Sequence, residues 1–361
     1  PKPPLPFHRP LELLRLLFDK FCVPLASVME ALRRNDQLER PAGNEYGRRD
    51  ILMEELRLSR AEYELLTDRS IRLGRLYGFP ESTAETEVLL ELSNAKSFSR
   101  RLGISYDDVI ELLRTRFINP HSSLLPKLER LGVSFSMLKA YKDGAVTDAE
   151  FDEALAPHLD ESQYGGDVKG WVKNDENYNR IMSLIVLTNP SGTDDLCDFG
   201  HLEFRRADPD AASNRLGRFD FVRMHRFIRL WRKLGWTIEQ TDRAIAALYP
   251  ASLLPVVPDD GANEERLDEA FLVLLPRLGV LKRVMDALHI SVNDDLQPLL
   301  ACFAPIDTHG FTSLYRRMFL SGTNRDPAFA DDGYGNMPDH SEPLLAHSET
   351  LRAAFNSEDF F

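Results

Sequence analysis

Few residues of this 361-residue chain have both the type and the spacing that chemistry demands. The nearest approach is His201-Leu-Glu203. Zinc deaminases use a His-x-Glu pair, but they also need a downstream Pro-Cys-x-x-Cys, which is absent. On a strand, His201 and Glu203 would share a face, and a surface pair is the expectation. Cys22, Cys197 and Cys302 lie far apart, with no Cys-x-x-Cys or Cys/His ligand spacing. They read as free thiols, Cys22 and Cys302 in apolar surroundings, and not as a disulfide framework or a zinc site. His-Glu-x-x-His, Gly-x-Ser-x-Gly and the phosphate-binding Gly-x-x-x-x-Gly-Lys pattern do not occur. His340 and His347 are too loosely placed to argue as ligands. The acidic doublets Asp194-Asp195, Asp259-Asp260, Asp294-Asp295 and Asp331-Asp332 read as loop charge or as complements to helix N-termini. Around Asp331–Asn336 the match to a calcium loop is only loose. The residues therefore call for no catalytic group, no metal and no cofactor, and the chain is not expected to be an enzyme.

The other candidate is cationic. Arg223, Arg226, Arg229, Arg232 and Lys233 lie along one helical stretch, Arg218–Leu248, beside an apolar stripe of Met224, Phe227, Ile228, Trp231 and Leu234. Gly235 can leave a helix at positive φ, Trp236 follows, and Thr237 with Gln240 makes a capping box for a second helix. Such a corner can read DNA if its arginines share an exposed face. Glu239 and Asp242 near the start of the second helix would repel DNA. The expectation is a structural corner, with the aromatics in the core and the arginines facing solvent, acidic neighbours or another subunit; a nucleic-acid-binding or regulatory helix 223–233 is the alternative.

Composition favours the structural reading. A formal net charge of −13 disfavours nonspecific binding to nucleic acid or anionic membranes. Hydrophobic residues make up 43%, ample for a core. Mean hydropathy is negative, and no run approaches the roughly 20 apolar residues of a membrane span. The opening Pro-Lys-Pro-Pro-Leu-Pro has neither initiator Met nor signal-peptide pattern, and a helix cap begins at Ser357 just before the end. The chain reads as a segment of a longer protein.

The elements that carry these residues are helices. The unit Leu-Gly-apolar-Ser/Thr, with an acid or amide three residues on, recurs at Gly103, Gly235 and Gly279, and without the glycine at His289–Asp294. Capping boxes are expected at Ser59/Glu62, Ser105/Asp108 and Thr147/Glu150. Ser82–Lys96 reads as one helix, and Asn119-Pro120 as a stop. The irregular spacing argues for packed helical hairpins and against a solenoid. One region departs: Ile181–Leu187 and the alternating His201–Arg206 suit short strands. The expected fold is mainly α, an irregular multi-helix bundle of helical hairpins with a small β-hairpin or irregular excursion near 181–206. The expected division is an N-terminal helical lobe at 1–165, the excursion at 166–215, and a C-terminal helical lobe at 216–361.

Several strings together resemble the A subunit of the bacterial Tc (toxin complex) insecticidal toxins, and the N-terminal region also resembles the Salmonella virulence plasmid A protein. They are Leu5-Pro-Phe-His-Arg-Pro-Leu11, Leu56-Arg-Leu-Ser-Arg-Ala-Glu-Tyr63, Leu187-Thr-Asn-Pro-Ser-Gly192 with His201–Arg206, Arg223–Trp236 running into Thr237-Ile-Glu239, and Met318-Phe-Leu320 with Arg325-Asp-Pro-Ala-Phe329. They run in the family's order across essentially the whole chain. The resemblance implies a segment of the helical shell around a translocation channel, in a secreted or surface-bound bacterial toxin whose A subunit is a bell-shaped pentamer. It implies contacts with neighbouring protomers. The B and C subunits and the host cell surface would be met by parts outside this segment. The family offers no catalytic residues to carry over. The residues expected to matter are structural or interaction residues: Phe227, Trp231, Leu234, Gly235, Trp236, Thr237, Arg223, Arg226 and Arg229.

Overall fold

The computed structural model describes residues 7–39, 46–189, 199–210, 214–255, 260–310 and 312–319. The helices run in order: α1 (Arg9–Lys20), α2 (Leu25–Leu32), α3 (Arg48–Glu55), α4 (Arg60–Thr67), α5 (Leu73–Leu76), α6 (Glu85–Ser93), α7 (Ala95–Leu102), α8 (Tyr106–Leu113), α9 (Leu124–Leu131), α10 (Phe135–Lys142), α11 (Asp148–Ala154), α12 (Val168–Lys173) and α13 (Asp175–Met182). Strands β1 (Ile185–Thr188) and β2 (Glu203–Arg206) follow, then α14 (Arg218–Leu234), α15 (Ile238–Leu248), α16 (Asp260–Leu288), α17 (Val292–Ala301) and α18 (Leu314–Phe319). The fold is mainly α. β1 and β2 pair antiparallel, with Leu187 opposite Phe204 and Thr188 opposite Glu203.

The chain forms two compact units that do not follow the expected boundaries at 165 and 215. One combines Pro1–Ser122 with Arg180–Leu296; the other combines Ser123–Asn179 with Gln297–Phe361. The reason is packing between distant segments. In the first unit α16 lies against α3, α4, α14 and α15, and α14 also packs on α4 and α5, so helices from both sides of the hairpin share one core. Its apolar part includes Ile51, Leu73, Val88, Phe98, Val109, Phe204, Phe221, Phe227, Phe271 and Leu278, all buried. Each large apolar side chain so removed from water contributes on the order of 1.5–3 kcal/mol.

Local sequence explains most helix ends. Reciprocal side-chain caps close α4 at Ser59/Glu62, α8 at Ser105/Asp108, α11 at Thr147/Glu150 and α15 at Thr237/Gln240. Two expectations change. The stretch 82–96 is not one helix: it breaks at Asn94, which caps α7 by accepting the Ser97 N–H at 3.0 Å and sends its own amide to the Gly200 carbonyl. Gly279 does not end a helix either, since α16 runs on to Leu288. A Cβ at Gly279 would lie 2.5 Å from the Leu52 carbonyl oxygen, so glycine is required there by the close approach of α3 and not by a turn. Pro276, also inside α16, cannot donate to the carbonyl of Leu272. Arg49 of α3 supplies the missing donor at 2.6 Å.

The second unit has its own core. Tyr141 stacks on Phe151 with ring centroids 3.9 Å apart, and the Lys173 ammonium lies 4.2 Å from the Tyr141 ring centre. Tyr164 packs edge-on against Trp171 and donates to the Lys127 carbonyl at 2.8 Å.

Candidate functional site

The corner of α14 and α15 is built as the spacing predicts. Gly235 sits at φ +69°, and its N–H closes on the Trp231 carbonyl at 3.1 Å. Thr237 then accepts the Gln240 N–H at 3.1 Å while Gln240 accepts the Thr237 N–H at 3.0 Å. Phe227 is fully buried and stacks on Phe117. Trp236 is buried, whereas Trp231 and Leu234 are only half-buried. The end of the apolar stripe therefore lies at the edge of the core. Trp231 tilts its indole N–H to the Trp236 carbonyl at 2.9 Å, which a wholly apolar setting would not offer.

Of the surroundings expected for the arginines, solvent, acidic neighbours or another subunit, the structure gives acidic neighbours, with backbone carbonyls beside them. Arg223 and Arg226 are buried and Arg229 is half-buried. Each cation of α14 is committed to a different neighbour. Arg218 bonds Glu264 of α16 and the carbonyls of Arg69 and Ile71. Arg223 donates to the Ile118 carbonyl at 2.7 Å and to Asp220. Asp220 in turn takes a two-toothed bond from Arg206 of β2 at 2.7 and 2.8 Å. Arg226 pairs with Asp268 of α16 and lies over the Phe271 ring. Arg232 donates to the carbonyls of Leu102 and Gly103, satisfying the acceptors that the end of α7 leaves open. Lys233 bonds both oxygens of Glu62, the acid that also caps α4. The three arginines of the DNA reading thus do not share an exposed face.

Burial governs the electrostatics. The Arg226 guanidinium is pulled below its usual value by desolvation, with Asp268 pushing the other way. Its Nε and Nη1 have no hydrogen-bond partner, so the ring of Phe271 is what faces much of the charge. His225, fully buried one turn before Arg229, accepts the Arg229 Nε–H at 2.8 Å on its own Nε2. That bond requires the neutral imidazole. Burial first, then the charges of Arg229 and Arg226, hold His225 well below the ordinary histidine value, while the Leu76 backbone opposes them.

Two openings adjoin this network. A cleft of about 310 Å³ is lined by Arg15, Asp19, Glu54, Glu55, Arg57, Lys233, Lys282 and Asp286 among others. Its charges are matched in pairs: Arg15 grips both oxygens of Glu54, and Arg57 bonds Asp19. A second, apolar opening of about 270 Å³ lies between Phe117, Ile245, Tyr249 and Leu254, with Arg223 and Arg116 on its wall. The Tyr249 hydroxyl is pushed up to about 12 by burial, so it stays protonated at neutral pH.

The remaining chemical candidates separate. His201 ends a short 3₁₀ turn and is exposed, whereas Glu203 opens β2 and binds Arg205, so the two do not share a strand face. Cys22 and Cys302 are exposed, not set in apolar surroundings. Asp294 and Asp295 sit in the first turn of α17, where a helix favours negative charge. Cys197, Asp194-Asp195, Asp331-Asp332, His340 and His347 lie outside the described residues. Among the described residues no three His, Cys, Asp or Glu side chains converge as a metal site, and no helix is long and apolar enough to cross a membrane.

Sequence reasoning missed two buried polar residues. Asn119, read as a helix stop, is a bracket: its amide donates to the carbonyls of Leu113 and Ile185, and its oxygen accepts the Ile185 N–H at 2.8 Å. Asp242, read as DNA-repelling surface charge, is buried and accepts the N–H groups of Arg116 and Phe117 after α8. The strand that Asn119 holds lies 66 residues away, and the N–H groups that Asp242 accepts lie 126 and 125 residues away, so the sequence gives no local signal for either tie. The chain matches no protein-family model, no curated protein and no solved structure.

Proposed function

We propose that this chain is a structural and interaction segment of the helical shell of a pore-forming, toxin-translocating A subunit of the bacterial Tc type. The observation that carries the reading is how the resembling strings are used. Those around Leu56–Tyr63, His201–Arg206 and Arg223–Glu239 pack as one body, joined by Lys233 on Glu62 and by the Arg206–Asp220–Arg223 chain of charges. A stretch in which Arg218, Arg226, Arg232 and Lys233 tie α14 to other helices does the work of a scaffold. It leaves no cation cluster to hold a phosphate backbone, which a nucleic-acid reader needs on its surface.

In this reading the chain works by protein–protein contact within a cyclic assembly and delivers no chemistry of its own. The test is electron microscopy of the whole protein that carries this segment, labelled with an antibody fragment raised against the 361-residue chain. Five-fold bell-shaped particles labelled on their outer wall are expected. Particles of one or two copies, or label confined to a central channel, would overturn the proposal.

A further inference from the structure

The apolar opening beside Tyr249 has walls that the core holds in place. Ile245 is 1% exposed, and Phe117 is backed by Phe227 and Phe271, with ring centroids 5.8 and 6.1 Å away. Tyr249 stands edge-on to Phe117 at 5.9 Å, and Leu254 completes the apolar lining. An apolar cavity of about 150 Å³ takes up benzene. At about 270 Å³ this opening has room for a ring and a short side chain.

The polar side chains of that lining are all of one kind. Arg223 and Arg116 carry positive charge, the Tyr249 hydroxyl can donate a hydrogen bond, and none of the described lining residues is acidic. The acids that serve these arginines are shared with other donors. Asp220 answers Arg223 while Arg206 grips both its oxygens, and it also accepts the Gly217 N–H. Asp242 lies 3.7 Å from the Arg116 Nε while it holds the N–H groups of Arg116 and Phe117. The Tyr249 oxygen registers the result. The charges that act on it are those of Arg223, Arg226 and Arg266, and each favours a negative charge there. Its own hydrogen bond, to the Leu253 carbonyl, is 3.5 Å long, so the hydroxyl can turn to a better acceptor. An apolar hollow with a few polar groups is the usual form of a small-molecule site. Cations and a donor in the lining select an anion, and the apolar walls require the rest of the ligand to be apolar.

We propose that this opening binds a small arylacetic-type carboxylate, with its charged end against Arg223, Arg116 and the Tyr249 hydroxyl and its ring against Phe117 and Ile245. This goes beyond the shell reading and does not depend on it, since the lining residues all belong to the first unit, whatever assembly that unit enters.

The experiment is a saturation-transfer NMR titration of the 361-residue chain with phenylacetate, with its neutral isostere phenylacetamide and with acetate, which lacks the ring. Phenylacetate should bind with a dissociation constant on the order of 0.1–1 mM, and the other two about tenfold more weakly or worse. Tyr249→Phe keeps the ring and removes the donor, so it should weaken phenylacetate about tenfold. Ala246→Trp places bulk at an exposed lining position of α15 and should abolish binding while the helical circular dichroism stays unchanged. No binding of phenylacetate up to about 10 mM overturns the proposal. So does equal binding of phenylacetamide, an affinity that Tyr249→Phe leaves intact, or binding that survives Ala246→Trp.

Discussion

Among single residues, burial decides what each group can do. His225 is neutral in the folded chain and held well below its ordinary value. In the unfolded chain it titrates near the usual histidine value of about 6.5. Above that pH neither state carries the proton, and the site costs nothing. Below it the unfolded chain binds a proton that the folded chain refuses, so stability falls by up to about 1.4 kcal/mol per pH unit. His225→Gln keeps an acceptor for Arg229 without a titrating ring. Denaturant melts between about pH 7 and 5 should therefore show a shallower loss for the variant than for the wild type; equal slopes would remove His225 as the cause. A second expectation concerns Arg226 and Asp268. Asp268→Ala strands a cation that is 1% exposed and should cost about 3–5 kcal/mol. Arg226→Met refills the volume and leaves a carboxylate that still reaches water, so its cost should be clearly smaller in urea unfolding. The reverse order would show that the pair is not what seats the guanidinium.

Within elements, the interplay of propensity and packing is clearest in α16. A glycine inside a helix normally costs about 1 kcal/mol against alanine, so Gly→Ala usually stabilises. At Gly279 the sign reverses, because the added methyl meets the Leu52 carbonyl of α3 at 2.5 Å. Gly279→Ala should destabilise by about 1–3 kcal/mol, read as a fall in thermal midpoint, and a rise would mean that α3 and α16 do not approach so closely. The same helix shows where sequence reading runs out. The caps at Ser59, Ser105, Thr147 and Thr237 and the left-handed glycines at Gly103 and Gly235 were legible because both partners lie within a few residues. Strand β2 was legible from the alternation of Leu202 and Phe204, and of the hairpin or irregular excursion expected near 181–206 the structure has the hairpin. The role of Gly279 and the tie from Asn119 to β1 were not, since what fixes each lies on another element, while the break at Asn94 has a local cap to Ser97 that the reading of one continuous helix passed over. For the basic side chains of α14, acidic neighbours were one of the surroundings left open: Asp220, three residues from Arg223, lay within local reach, whereas Asp268, Glu62 and the carbonyls of α7 lie on other elements and had no local signal.

Over the whole molecule, the fold class followed from the sequence and the division into units did not, because helical periodicity is local while the cores join distant segments. Charge at this scale gives a further expectation. With a formal net charge of −13 and the cations of α14 tied into the first unit, the chain should pass through a heparin column at low salt. Retention that needs several hundred millimolar salt for release would restore the nucleic-acid alternative.

The commitments of α14 also bear on the order in which the chain becomes structured. Its side chains close contacts spanning 42 residues to Asp268, 105 to Ile118, 130 to Leu102 and 171 to Glu62. Contacts of that span are non-local, so the expectation is that they close after the capped hairpins that supply their partners. On that expectation α14 is among the last parts of the first unit to be locked. A lesion in α14 would speed unfolding far more than it would slow folding.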